Sequence, residues 1–233
     1  MINLLNTRFR VVMKSILIPI FLLLTQSIYG EENEIELKFK KAGLINVQSI
    51  DSSIQVNLVN SNPDNNFFRE NYYKGLNKAY LQKSIAVKLA KAQKILKSQY
   101  PSYSLLILDS ARPRSISQKM YNKMKGTRFE RYVANPKTGS MHNYGIAVDI
   151  TIANCKGKQI DMGFTPFFKS NFEIYYQFAK IKVGFSLSNT QKKNRKLLKT
   201  VMKKAGFIPL GFEWWHFNGM EKKQARQNYK IIE

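Results

Sequence analysis

The chain of 233 residues contains one cysteine and two histidines, and its 15 acidic residues face 38 lysines and arginines. A single cysteine excludes an internal disulfide framework, so the fold must be held by its core, helped at most by a metal. Cys155 itself reads as an unpaired small residue near a turn, not as a thiol nucleophile. Also missing is an apolar run of the roughly 20 residues that a membrane-spanning helix needs. No internal repeat, low-complexity linker or sharp shift in composition occurs, and the length suits one substantial domain rather than two. The scarcity of acid leaves a formal net charge of +23, a field that attracts anionic polymers or lipid in general. The lysines are scattered on helix faces (Lys88, Lys91, Lys94; Lys192, Lys193, Lys196) without stacking aromatics between them. They read as solvated faces, and nucleic acid is not expected as a partner.

What is present begins with a basic N-terminus, Arg8, Arg10 and Lys14, followed by the apolar run from Ile16 to Leu24 and then polar Thr25, Gln26 and Ser27. This order reads as a secretory signal over residues 1–30, cleaved near Gly30 or, since Ile28 stands where a small residue is preferred, kept as an uncleaved N-terminal anchor, ahead of one domain over residues 31–233. Removing those three basic residues from +23 leaves about +20 on the mature chain. An exported protein, periplasmic or held in the cell envelope and with no stable membrane span after cleavage, is the expectation.

Residues 54–59 alternate as a short strand, and the polar stretch 60–66 with Pro63 reads as an exposed loop. Leu81, Ile85, Leu89, Ala92 and Leu96 recur at helical spacing. The compact apolar run Leu105 to Leu108 reads as a buried strand that carries Asp109 and Arg112 to its end. Ser115 and Gln118 have capping-box spacing for a helix running toward Met124. Gly145 to Ile152 reads as a strand. A second capping box, Ser188 with Gln191, opens a helix with an apolar stripe of Leu197, Leu198, Val201, Met202 and Ala205, which Gly206 stops. Residues 207–217 have β character. Strands and helices are interspersed without a βαβ rhythm, which predicts an α+β fold: a largely antiparallel sheet with packed helices, in one domain.

Both histidines sit in segments dense with polar and aromatic residues, Ser140-Met141-His142-Asn143 and Glu213-Trp214-Trp215-His216. Catalytic zinc takes three protein ligands from imidazole and carboxylate and keeps a fourth position open. His142, His216 and Asp149 meet that count, since a carboxylate on an apolar strand is costly unless paired or metal-bound. Glu213 is placed to act as a general base that is not itself a ligand. For both ends of Glu213–His216 to reach one metal, a strand there must twist or bulge. Trp214 and Trp215 read as core and wall packing, with one of them able to line a substrate pocket. A fixed guanidinium suits charge developing on a carbonyl oxygen, and both Arg112 and Arg114 qualify.

Ser140-x-His142-x-x-Gly145-x-Ala147-x-Asp149 and Glu213-x-Trp215-His216 look like the two zinc signatures of the zinc D,D-peptidases, and Asp109-Ser110-Ala111-Arg112-Pro113 is similar to that group's D-x-x-R-P segment. From about Ile54 to Phe217 the sequence resembles the VanX-type D-alanyl-D-alanine dipeptidases within that group. The resemblance implies that His142, Asp149 and His216 bind Zn2+, that Glu213 is the catalytic base, and that Arg112 rather than Arg114 stabilises the tetrahedral intermediate. It implies substrate contacts at Ser140 and Trp215, and D-alanyl-D-alanine or peptidoglycan peptides as partners. Ser140 is equally suited to be a local backbone cap. One departure stands out. These dipeptidases often follow a Met-Gly segment with an aspartate that receives the dipeptide's amino group, whereas Met162-Gly163 leads here to Phe167, with Asp161 on the other side of the pair. A D,D-carboxypeptidase acting on longer stem peptides therefore stands beside the dipeptidase. A non-catalytic, wall-binding protein is a third reading, against which Glu213 and Arg112 argue.

Overall fold

The computed structural model describes residues 32–66, 68–127, 130, 133–163, 186–211 and 213–233. The chain divides into two units, Met1–Glu34 and Ile35–Glu233. The expected leader over residues 1–30 lies outside the described residues, as does Phe167. Among the described residues no helix is long and apolar enough to cross a membrane.

In chain order the elements are helix α1 (Glu34–Lys41), strands β1 (Ile45–Asn46), β2 (Gln55–Val56) and β3 (Tyr80–Leu81), helix α2 (Lys83–Gln99), strand β4 (Tyr103–Asp109), helix α3 (Arg114–Met124), strand β5 (Ala147–Asn154), helix α4 (Asn189–Lys204), strands β6 (Ile208–Pro209) and β7 (His216–Asn218), and helix α5 (Lys222–Asn228). The main sheet has the order β2-β4-β5-β7-β6. Only β2–β4 is parallel; the other three pairings are antiparallel. The α+β fold with a largely antiparallel sheet is thus as expected.

The apolar stripe of α2 buries Ile85, Leu89, Ala92 and Leu96 against the sheet. Leu81 precedes that helix and lies in β3, which pairs with β1. Gln93, on the same buried stripe, is satisfied where it meets β4: its Oε1 accepts from the Leu105 N–H at 2.8 Å and its Nε2 donates to the Ser53 carbonyl at 3.1 Å. A buried amide is tolerated because its bonds are made. α4 begins at the capping box Ser188–Gln191, packs beside α2, and is followed by Gly206 at φ 92°, the left-handed conformation that ends helices.

Three expectations fail for local reasons. The strand around Ile54–Val59 is only two residues long and gives way to a single-turn 3-10 helix at Val59–Ser61. The polar stretch behind it is not a fully exposed loop: Asn60 and Asn66 are buried, and the Asn66 amide donates to the carbonyls of Val59, Asn62 and Glu70. Polarity marked hydrogen-bonding capacity there, which folding used internally. The Ser115–Gln118 box does not form. α3 starts one residue earlier, at Arg114, with Pro113 at the cap position and no side-chain cap bond, because proline's fixed φ already suits a helix entry.

Candidate metal centre and its surroundings

β4, β5 and β7 lie side by side, and their registers set Asp109 opposite Asp149 and Asp149 opposite His216. Directly opposed residues of antiparallel strands share a face, so the three side chains form one row across the sheet. The Asp109 end of the row depends on a register shift between Ile107 and Asp109. Leu108 is the extra residue of that irregularity, which turns Asp109 to stand opposite Asp149.

His142 joins the row from a 3-10 turn, Met141–Tyr144, capped by Ser140. The Ser140 Oγ accepts from the His142 N–H at 3.3 Å, and the Ser140 N–H donates to Asn143 Oδ1 at 2.7 Å. Gly145 closes the turn at φ 66°, where an added Cβ would stand 2.8 Å from Leu44. Only glycine suits both demands. The Asn143 side chain, fully buried, also donates to the Arg112 carbonyl at 2.7 Å and to Ser117 Oγ at 2.9 Å, while the Arg112 N–H donates to the His142 carbonyl at 3.0 Å. The Asn143 carbonyl in turn accepts from the Ile232 N–H at 2.8 Å, and the Ile232 carbonyl accepts from the Arg114 N–H at 2.7 Å. The segment after β4 and the histidine turn are thus tied to each other directly and through residue 232.

The ring atoms of His142 and His216 are sorted by their partners. The Nδ1 of His142 lies 2.6 Å from the Ser110 carbonyl, so it carries the proton and leaves Nε2 as a lone pair. For His216 the outer nitrogen Nε2 lies 3.0 Å from Asn218 Oδ1, two residues along the same strand face, which leaves Nδ1 free. The free atoms converge. His142 Nε2 is 3.3 Å from His216 Nδ1 and 3.5 Å from Asp149 Oδ1, and His216 Nδ1 is 3.0 Å from the same oxygen. Two nitrogens and an oxygen held at about 2.0–2.2 Å in a tetrahedral shell stand roughly 3.3–3.5 Å apart; two of the three separations match that and the third, at 3.0 Å, is slightly shorter. All three residues are buried, and together they form a group that could hold a metal ion. Asp149 is held as the anion far below the usual carboxylate range: burial pushes its carboxyl up, but the charges and hydrogen bonds of the two histidines outweigh that. His216 is raised: burial pushes it down, but the hydrogen bond and charge of Asp149, with Glu213 and Asn218 adding to them, together outweigh that.

Glu213 stands outside this trio. Its Oε2 is 3.9 Å from His216 Nδ1, beyond the reach of the ligand set. Burial pushes its carboxyl up, with a further push from the Asp149 charge. The irregularity expected between Glu213 and His216 is a turn: the His216 N–H donates to the Glu213 carbonyl at 3.2 Å, just before β7 begins. That i to i+3 bond folds the segment back and brings both side chains to the same centre.

Arg112 points into the other end of the row. Its Nη2 and Nε donate to Asp109 Oδ2 at 2.5 and 3.2 Å, and the Asp109 charge keeps it firmly protonated although burial works against it. Arg114 instead pairs with Glu233 at the partly exposed edge. Trp215 is buried at 4% exposure, and its carbonyl accepts from the Ile150 N–H. Trp214 is half-buried, set edge-on to Trp215 and covered by the Arg195 guanidinium 5.2 Å from its ring centre. Asp161 is turned toward α4: its carboxylate accepts from the Gly163 N–H at 2.8 Å and from Gln191 at 3.1 Å.

Sequence reasoning missed the residues that support Asp109. The Tyr73 hydroxyl donates to Asp109 Oδ1 at 2.6 Å, the Ser110 N–H donates to the same oxygen at 2.9 Å, and Asn60 Nδ2 donates to Oδ2 at 3.0 Å. Asp109, Tyr73 and Asn60 are all buried. Only the short i, i+3 step from Asp109 to Arg112 gave a local signal.

Fold and site define the class: an α+β protein with a candidate mononuclear metal centre, flanked by a carboxylate and a guanidinium, of the kind that serves hydrolysis. Within that class the chain belongs to the D-ala-D-ala dipeptidase family (Peptidase_M15), which matches residues 40–233. It is 28% identical over 137 residues to a D-alanyl-D-alanine dipeptidase of Escherichia coli (strain K12), a match covering 59% of this chain and 65% of that one. A D-alanyl-D-alanine dipeptidase of Synechocystis sp. is 26% identical over 185 residues, covering 66% of this chain and 75% of the relative. The chain therefore spans just under two thirds of the length of the first of these relatives. The solved LdcB LD-carboxypeptidase aligns over 64% of this chain and 63% of its own, with 20% identity and a TM-score of 0.35.

Proposed function

We propose that this protein is a zinc-dependent D-alanyl-D-alanine dipeptidase, exported to the cell envelope and acting there in cell-wall metabolism. The observation that carries the reading is the convergence of His142 Nε2, Asp149 Oδ1 and His216 Nδ1 within hydrogen-bond distances, with Glu213 one step further out. Membership of the dipeptidase family supports the reaction class, and the leader pattern of residues 1–30 supports export.

The residues divide the work. A zinc ion bound by His142, Asp149 and His216 would supply a Lewis acid and lower the pKa of water there to roughly 7. Glu213 takes the proton of the attacking water and passes it to the amide nitrogen as the carbon–nitrogen bond breaks and the new carbon–oxygen bond is made. Burial of Glu213 favours its protonated form, which helps it to return the proton to the leaving amine. Arg112, fixed by Asp109, donates to the oxygen on which negative charge gathers. Ser140 and Trp215 are assigned to substrate contact, Ser140 while also capping the histidine turn.

Asp161 favours a second reading. Its carboxylate is engaged by Gly163 and Gln191, so it is not held ready for the ammonium group of a free dipeptide, and a D,D-carboxypeptidase on longer peptidoglycan stems fits that arrangement. Purified protein loaded with zinc is assayed for D-alanine release from D-alanyl-D-alanine and from a pentapeptide stem. Preference for the dipeptide supports the first reading and preference for the stem the second. Release from neither removes both.

A further inference from the structure

α2 and α4, of 17 and 16 residues, pack side by side and contain no acidic residue. Their buried stripes face inward, while Lys91, Lys94, Lys192, Lys193, Lys196 and Lys199 are exposed on the opposite sides. Among the described residues the lysines of these two helices have no acidic partner. The lysine and arginine ion pairs, Lys40 and Lys78 with Glu36, Arg112 with Asp109, Arg114 with Glu233 and Lys123 with Glu70, all lie elsewhere. Lys88 is occupied, with Nζ donating to the Gly219 and Gly206 carbonyls, and it links α2 to the end of α4. The scattered solvated lysines of the sequence therefore leave the exposed sides of two adjoining helices with charge of a single sign.

We propose that the joined outer face of α2 and α4 is a docking surface for an anionic lipid bilayer, engaged through Lys91, Lys94, Lys193 and Lys196 without deep insertion. Each helix is roughly 25 Å long at 1.5 Å per residue, so the charges form a plate two helices wide rather than a line. A plane of headgroups meets both helices at once, whereas a single polymer strand follows one row. Single-stranded nucleic acid would call for stacking aromatics, and neither helix has an aromatic residue. Val87 is the one large apolar side chain well exposed on either helix, too little area for an inserted amphipathic face, so charge carries the binding. The inference uses lysines outside the candidate metal group and holds whether or not the peptidase reading does.

The test is co-sedimentation of the full chain with vesicles of phosphatidylglycerol and phosphatidylcholine, against vesicles of phosphatidylcholine alone, at low and high salt. Binding is expected only to the anionic vesicles and only at low salt. The variant K91E/K94E/K193E/K196E is expected to lose at least about a hundredfold in partitioning. The variant K119E/K125E/K156E/K158E, which carries the same charge change on exposed lysines outside the two helices, is expected to stay near wild type. Should the first variant not fold, as judged by circular dichroism, the fourfold lysine-to-glutamine change at the same positions replaces it, with a loss of at least about tenfold expected. Equal losses from the two glutamate sets would overturn the proposal, leaving net charge as the cause. Retention on polyphosphate without binding to vesicles, or no binding to anionic vesicles at all, would overturn it too.

Discussion

Asp109 and Asp149 face each other across β4 and β5, both buried, yet they are partnered in opposite ways. Asp109 has a permanent cation, Arg112, and hydroxyl, amide and backbone donors from Tyr73, Asn60 and Ser110 that complete its shell. Asp149 has two imidazoles, each with its second nitrogen already committed, to Ser110 on one side and Asn218 on the other. A carboxylate enclosed by fixed donors is a clamp. One flanked by two imidazoles belongs to a group that could hold a cation. The difference teaches that the partner, not the burial, decides whether a buried acid serves geometry or chemistry.

The largest expected effect lies at the Asp149 end. Glu213→Gln should lower kcat for D-alanine release by roughly 10²- to 10⁴-fold while the zinc content per chain, measured by metal analysis, stays at the wild-type value. A loss of zinc in that variant would make Glu213 a ligand and blur the contrast. At the other end, Asp109→Ala strands a buried guanidinium, and a loss of about 3–5 kcal/mol in urea unfolding is expected, again with zinc retained. Zinc lost from Asp109→Ala in protein that is still folded would show that the two ends are one unit. Smaller is the effect of Asn218→Ala, which frees His216 Nε2 and should weaken zinc affinity by about 10- to 100-fold in competition with a chelator.

A third buried acid, away from the row, gives the smallest effect and a control. Burial raises the Glu36 carboxyl, but hydrogen bonds from Tyr80, Lys78 and Lys40 outweigh it and bring it from 4.5 to about 2. A carboxyl depressed in the folded state adds stability that is complete above its unfolded value and fades as the pH falls from about 4.5 toward 2. Glu36→Gln should flatten that part of the stability curve, read as thermal midpoints between those pH values, and leave zinc binding untouched.

Much of the candidate metal group was legible in the sequence. With two histidines in the chain there was little choice of imidazole, and Asp149 stood out as a charge on an apolar strand. The capping box of α4 and the stripe of α2 were equally plain, because helix signals are local and repeat at a fixed period. The Asp109 clamp was not legible: Asn60 and Tyr73 reach it from 49 and 36 residues away, and nothing in their own neighbourhoods distinguishes them from loop residues. Nor could the bulge after Ile107 be foreseen, although it sets the pairing of Asp109 with Asp149. The choice between Arg112 and Arg114 needed the family resemblance at first. In the structure the two are separated by partner, Asp109 for one and Glu233 for the other.

The most direct measurement is the zinc content per chain, by mass spectrometry of purified protein after dialysis, for wild type and His216→Ala, with D-alanine release assayed on the same samples. One zinc per chain with release in the wild type, and neither in the variant, is the predicted result. Equal zinc in both proteins, or undiminished release from a variant that has lost its zinc, would contradict the assignment of this centre.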